Sequence, residues 1–233
     1  MSPRSLGRLS GLLYLVVAVT SGPAQYFRDG LLSGDAAATA AKVRDNADGL
    51  RVMLAADLVG ATAFLLMALV LWSIFRSVGP RAAVAMLALV VVAATLQAAD
   101  LVNHAAACLL AGQPASTTTD QLTWLFINLH RQGYYVAQVF FGLWLVPFGW
   151  LVWRTAWMPR ILGLGLMVGG VCYLAALVPV YASTTLSSDL DTLISWPAGI
   201  AEIATAVWLA VMGVNESPAP LRRRAATTAA SAA

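Results

Sequence analysis

Residues 52–75 read VMLAADLVGATAFLLMALVLWSIF, between Arg51 and Arg76. A single charged side chain, Asp57, interrupts an apolar run long enough to cross a bilayer, which takes about 20 residues of helix. The run is uneven. Asp57, Gly60 and Ala61 lie in its first half, whereas residues 64–75 carry one hydroxyl, Ser73, and no charge. Charge within hydrocarbon is costly and tends to mark function. The first half therefore holds the information about chemistry, and the second half reads as a seal.

The same pattern repeats outward along the chain. Apolar runs at 9–27, 52–75, 82–110, 122–153, 161–181 and 193–213 predict six spanning helices. Arginines mark one side of them: Arg4 and Arg8, Arg76 and Arg81, Arg154 and Arg160, then Arg222, Arg223 and Arg224, against one acid, Glu216. The loops on the other side are charge-balanced (28–51) or lack Lys and Arg (113–120 and 182–191). This asymmetry predicts that both termini are cytoplasmic. Reading 9–27 as a signal peptide would leave five spans and break the alternation. The fold class expected is all-α: a polytopic bundle of six transmembrane helices forming one domain over 1–215. A basic, Ala-rich tail over 216–233 is expected to be disordered.

Composition agrees. The chain has 233 residues, 60% of them hydrophobic and 11% charged, with mean hydropathy +0.76. Soluble domains carry roughly 25% charged residues, so a water-facing surface is excluded. One lysine against thirteen arginines, with abundant alanine, suggests a bacterial source and hence the bacterial inner membrane. The arginines sit in pairs at helix ends, so no nucleic-acid partner is expected; the partners expected are the lipid bilayer, a lipid-like or small apolar ligand, and other membrane proteins. Cys108 and Cys172 lie at different depths, which argues against a disulfide.

Several sites lie in the longer segments. Ser33-Gly34-Asp35 before an alanine-rich run predicts a short surface helix over 36–48 ended by Gly49, read as a spacer on the outer face, with a lid over a cavity opening there as the alternative. The fourth segment, at 1.5 Å per residue, reaches roughly 48 Å, beyond a hydrocarbon core of about 30 Å. Its first turns, with Asn128, His130, Arg131 and Gln132, should reach the headgroup level. Gly165 and Gly169 form a G-x-x-x-G pair, which lets membrane helices approach closely.

The titratable residues cluster in one half of the membrane. Asp100 and His104 are i,i+4, so they can touch, and a carboxylate beside a histidine orients the ring and fixes its tautomer. Asp57 is expected to pair with Arg51 or Arg131. Glu202 lies roughly 13 Å below the end of its helix, on a small-residue face with Ala198, Gly199, Thr205 and Ala206 that should pack inward. A protonated Glu202 is a candidate acid; one paired with Arg131 would be a strut. The catalytic candidates are thus Glu202, Asp57, Asp100, His104 and His130. Asn128, Arg131, Tyr134, Tyr135 and Gln138 would contact a substrate. Asp57, Asp100, His104 and His130 are of metal-ligand type, but two histidines without fixed spacing make a weak signal, and no metal or cofactor is expected.

The run Asn128-Leu129-His130-x-x-Gly133-Tyr134 followed by 139–143, the segments at 34–40 and around Ala56-Asp57-Leu58, residues 158–163, and Glu202 through Gly213-Val214-Asn215 resemble, in matching order, a bacterial integral-membrane family of unknown function. The resemblance implies a six-helix inner-membrane protein without an established activity. It includes Asp57, Asn128, His130, Gly133, Tyr134 and Glu202 but not Asp100 or His104. The dry halves argue against an ion pathway. The reading is an outward-facing polar cup, best suited to a membrane-embedded acid/base enzyme acting on a lipid-like or isoprenoid substrate by isomerisation or cyclisation. The alternatives are a non-catalytic partner or assembly subunit, and a proton-coupled transporter.

Overall fold

A computed structural model describes residues 2–182 and 188–214. Among them seven helices and no strand occur: α1 Pro3–Leu31, α2 Ala36–Asp45, α3 Ala47–Phe75, α4 Pro80–Ala111, α5 Thr117–Arg154, α6 Arg160–Ala182 and α7 Ser188–Met212. All but α2 are long and apolar enough to cross a membrane, so the all-α, six-span reading holds. The expectation for the 216–233 tail, and those for Asn215 and Glu216, fall outside the described residues.

Several helices overrun the apolar runs, because polar caps rather than hydropathy set their ends. The Ser116 hydroxyl accepts from the Thr119 N–H at 3.1 Å and starts α5 five residues before the apolar run. Ser2 caps α1 in the same way, ahead of Pro3 at the first position. At its far end α1 continues to Leu31. Arg28, read from sequence as a loop residue, is therefore carried on a spanning helix and buried.

Each long helix packs on its neighbours in the chain, and α1 closes on α7, so the six form an up-and-down ring. Small residues bring the walls together. Gly165 and Gly169 of the G-x-x-x-G pair face α7: a Cβ on Gly169 would stand 2.7 Å from the Ala198 Cα. Gly142 and Gly149 of α5 meet Gly170 and Gly163 of α6. Both described ends lie at one end of the ring, where the Arg8 guanidinium donates twice to the Val211 carbonyl, at 3.1 and 3.3 Å.

The half of the ring nearest those ends is filled by apolar side chains. Met67, Leu71, Phe75, Met86, Leu145 and Phe148 are fully buried there, as the dry halves of the sequence predict. At the other end lies α2. Asp35 caps this helix, accepting from the Ala38 N–H at 2.7 Å. Val43 packs with Leu31, Leu50, Ala107, Cys108 and Ile127, and Arg44 pairs with Asp120 at 2.7 Å. The helix ends at Asp45, and Gly49 does not terminate it. Gly49 lies inside α3, where the Phe27 ring occupies the space a Cβ would take. Nor does α2 lie apart from the bundle: its buried face, Thr39, Ala40 and Val43, packs chiefly on α5 and α4 at this end. Both cysteines are free.

Candidate functional site

Ten residues before the end of α7, about 15 Å along the helix, Glu202 points into the ring. The Tyr14 hydroxyl of α1 donates to Oε1 at 2.6 Å, and the Tyr173 hydroxyl of α6 donates to Oε2 at 2.8 Å. Among the described residues no cation pairs with it. The small-residue face expected around Glu202 does pack inward: Ala198, Thr205 and Ala206 are fully buried.

Above the carboxylate lies a cavity of about 250 Å³. Its walls are largely aromatic: Phe64, Tyr134, Phe141 and Trp144 join Tyr14 and Tyr173. The rings brace one another edge to face, Phe64 on Trp144 at 5.4 Å and Tyr14 tilted on Trp144 at 5.8 Å. Trp144 is stacked from below by Phe148 at 5.2 Å. Gln97 and Gln138 add amides, the latter held by donation to the Tyr173 carbonyl at 3.1 Å.

The cavity has a side mouth. At one end α1 and α7 touch backbone to backbone, since Cβ atoms on Gly7 or Gly11 would overlap α7. Beyond Tyr14, α1 leaves α7 and follows α3, where Thr20 and Ser21 cover Gly60. Gly22 of α1 and Gly199 of α7 both line the cavity and have open space beside them. Ile203 lines it too while being half exposed on the outer face of the ring. This gap faces where lipid would lie.

The second polar group sits nearer the α2 end. Arg28 and Asp57 form a buried ion pair, and Arg28 also donates to the Gln25 side-chain Oε1 at 2.9 Å. Asp57 therefore pairs with neither Arg51 nor Arg131. Arg51 lies on the exposed face with Asp48 at 2.8 Å, and Arg131 donates to Asn128 at 3.3 Å. Asp100 does not hold His104 either. It pairs with His130 of α5 at 2.7 Å and accepts from Asn103 at 2.9 Å. The cause is Gly133, whose missing side chain lets the Asp100 carboxyl reach the α5 backbone. His104 turns instead to the Leu50 carbonyl, Nε2 to oxygen 2.9 Å.

The sequence-predicted residues thus form two groups rather than one cup. Glu202, Tyr134 and Gln138 line the cavity. Asp57, Asp100, His104 and His130 are buried beneath α2 and outside the cavity lining. Asn128 and Arg131 pair with each other nearer the start of α5, and Tyr135 is half-buried outside the lining. Sequence reasoning missed Tyr14, Tyr173, Trp144 and Arg28. The two tyrosines carried a signal, because a mid-span phenol needs a hydrogen-bond partner.

Ring, cavity and spans define a multi-pass membrane protein with an internal cavity. Over residues 9–213 the chain matches a family described as a domain of unknown function (DUF4386), and it belongs to that family. Among curated proteins and among solved structures, none matches it.

Proposed function

We propose that the cavity binds a small, lipid-soluble cation, a quaternary or protonated amine with an apolar body, entering from the bilayer between α1 and α7. The observation that supports this reading is the Glu202 carboxylate, held by two phenol donors, paired with no cation among the described residues and facing a chamber of aromatic rings. Aromatic faces attract cations, by about 2 kcal/mol or more where water is excluded, and cages of this kind suit quaternary ammonium groups. A carboxylate beneath them adds charge attraction. The Ser21 hydroxyl, buried in the lining without a partner, offers one further polar contact. The volume is just under the roughly 300–1,000 Å³ usual for ligand pockets. It suits a headgroup whose tail stays in lipid.

A second reading uses the same walls. Aromatic rings also stabilise a carbocation, so acid/base turnover of an isoprenoid or other lipid-like substrate, with Glu202 exchanging the proton, fits the chamber. In either case we infer that the arginine-bearing ends of the spans face the cytoplasm of a bacterial cell.

The test uses the full chain in lipid nanodiscs. Benzyltrimethylammonium and its neutral carbon isostere, neopentylbenzene, are titrated against tryptophan fluorescence. The cation should bind at least tenfold more tightly, and Glu202→Gln should remove most of that preference. Equal binding of both compounds by the unmodified protein would defeat the cation reading. Formation of an isomerised or cyclised product from an isoprenoid would establish the second.

A further inference from the structure

The cluster beneath α2 has a property that its ion pairs do not explain. His104 and His130 are both buried, and their ring centroids lie 5.3 Å apart. Each ring has one nitrogen engaged. His104 Nε2 faces the Leu50 carbonyl, which can only accept, so Nε2 carries the hydrogen. His130 Nδ1 faces the Asp100 carboxylate and carries its hydrogen for the same reason. The other nitrogens, His104 Nδ1 and His130 Nε2, are buried with no hydrogen-bond partner. In the neutral rings both are bare lone pairs. Buried polar atoms are rarely left so, since an unmade hydrogen bond leaves the loss of water uncompensated.

One donor atom each from Asp57, His104 and His130 lies within 4.8 Å of the others. From these observations we propose that Asp57 of α3, His104 of α4 and His130 of α5 bind one divalent transition-metal ion of the zinc class. Two imidazole nitrogens and one carboxylate oxygen suit such an ion. Bonds of about 2.0–2.1 Å would draw the donors together by roughly 1 Å, within reach of side-chain rotation. The outer contacts match what metal-bound histidines need: one ring N–H fixed by a carboxylate, the other by a backbone carbonyl. Asp100 and Leu50 are thus positioning groups, and Gly133 makes room for the first.

Arg28 sits on the same carboxylate, on Oδ2, and is anchored on its other side by Gln25. Two carboxylates against one guanidinium leave one net negative charge, which favours a cation over a neutral guest. Bound there, the metal would tie α3, α4 and α5 together under α2.

The experiment uses the whole chain, purified in detergent through a tag without histidine. Metal content is measured by mass spectrometry, and the stripped protein is titrated with Co2+ alone. The expected results are one ion per chain, visible Co2+ ligand-field bands of a nitrogen- and oxygen-bound ion, and displacement of Co2+ by Zn2+. His104→Gln and His130→Asn should lose the bands. Asp100→Asn should weaken binding about 10–100-fold while leaving the band positions unchanged. Absence of metal together with a featureless Co2+ titration of the unmodified chain would overturn the proposal, since it needs no variant to fold. So would bands that persist in both histidine variants, or a single water found bridging the two nitrogens.

Discussion

Adding one methyl group at Gly133 should be among the most damaging small changes this protein can suffer. A Cβ at Gly133 would stand 2.1 Å from Asp100 Oδ1, 2.3 Å from Cγ and 2.8 Å from Oδ2. Unbonded carbon and oxygen come no closer than roughly 3.3 Å, so something must move by about 1 Å. The carboxyl cannot move freely, because it holds His130 at 2.7 Å and Asn103 at 2.9 Å. Overpacking costs about 1–3 kcal/mol, and a lost hydrogen bond to a buried charged group about 1.5–3. Gly133→Ala should therefore destabilise by roughly 2.5–6 kcal/mol. Gly30→Ala, with open space beside it on α1, serves as the matched control and should be neutral or slightly stabilising. Thermal unfolding in detergent, followed by tryptophan fluorescence, measures both. Removing the obstacle with Asp100→Ala should recover part of the loss, a coupling that a double-mutant cycle reads directly. If Gly133→Ala unfolds with Gly30→Ala, the account of Asp100 held against α5 is wrong.

Other consequences follow from the same contacts. Arg28→Met or Asp57→Leu alone leaves a buried charge unpaired and should cost about 3–5 kcal/mol, while the double variant should be far milder; a denaturation cycle tests this. Trp144→Ala removes the ring that joins Phe64, Tyr14 and Phe148, and should cost about 3–5 kcal/mol while enlarging the cavity enough to accept a bulkier ammonium in the fluorescence titration. With native cysteines replaced, a membrane-impermeant maleimide should label Ala115→Cys on intact cells and Ser77→Cys only after permeabilisation, both positions being exposed; the reverse would invert the orientation proposed.

The spans were legible because hydrocarbon thickness imposes a length that the apolar runs meet. Glu202 was legible for a related reason: a lone carboxyl deep in such a run must face inward. What the sequence could not supply was pairing between helices. Apolar-run lengths put Arg28 in a loop and leave Arg51 or Arg131 as partners for Asp57, whereas α1 extends past Phe27 and carries Arg28 to it. Asp100 and His104 share a helix face, yet the partner was chosen by where α4 meets α5, at a glycine whose role depends on packing register. The two orphaned histidine nitrogens belong to segments with no fixed spacing, so only the fold brings them together. The cup read from polarity alone was open at the top. In the structure α2 covers the α4–α5 side of that end, and open space lies beside Gly22 of α1 and Gly199 of α7.

The central claim is that the Glu202 chamber receives a cation from the bilayer. Photolabelling with a diazirine-bearing benzyltrimethylammonium, in nanodiscs and mapped by peptide sequencing, tests it most directly. The account predicts adducts on cavity residues such as Val17, Trp144 and Ile203, protected by excess unlabelled cation and lost in Glu202→Gln. Adducts confined to outward-facing residues such as Val102, Leu109 and Ile161, unprotected and indifferent to that substitution, would contradict it.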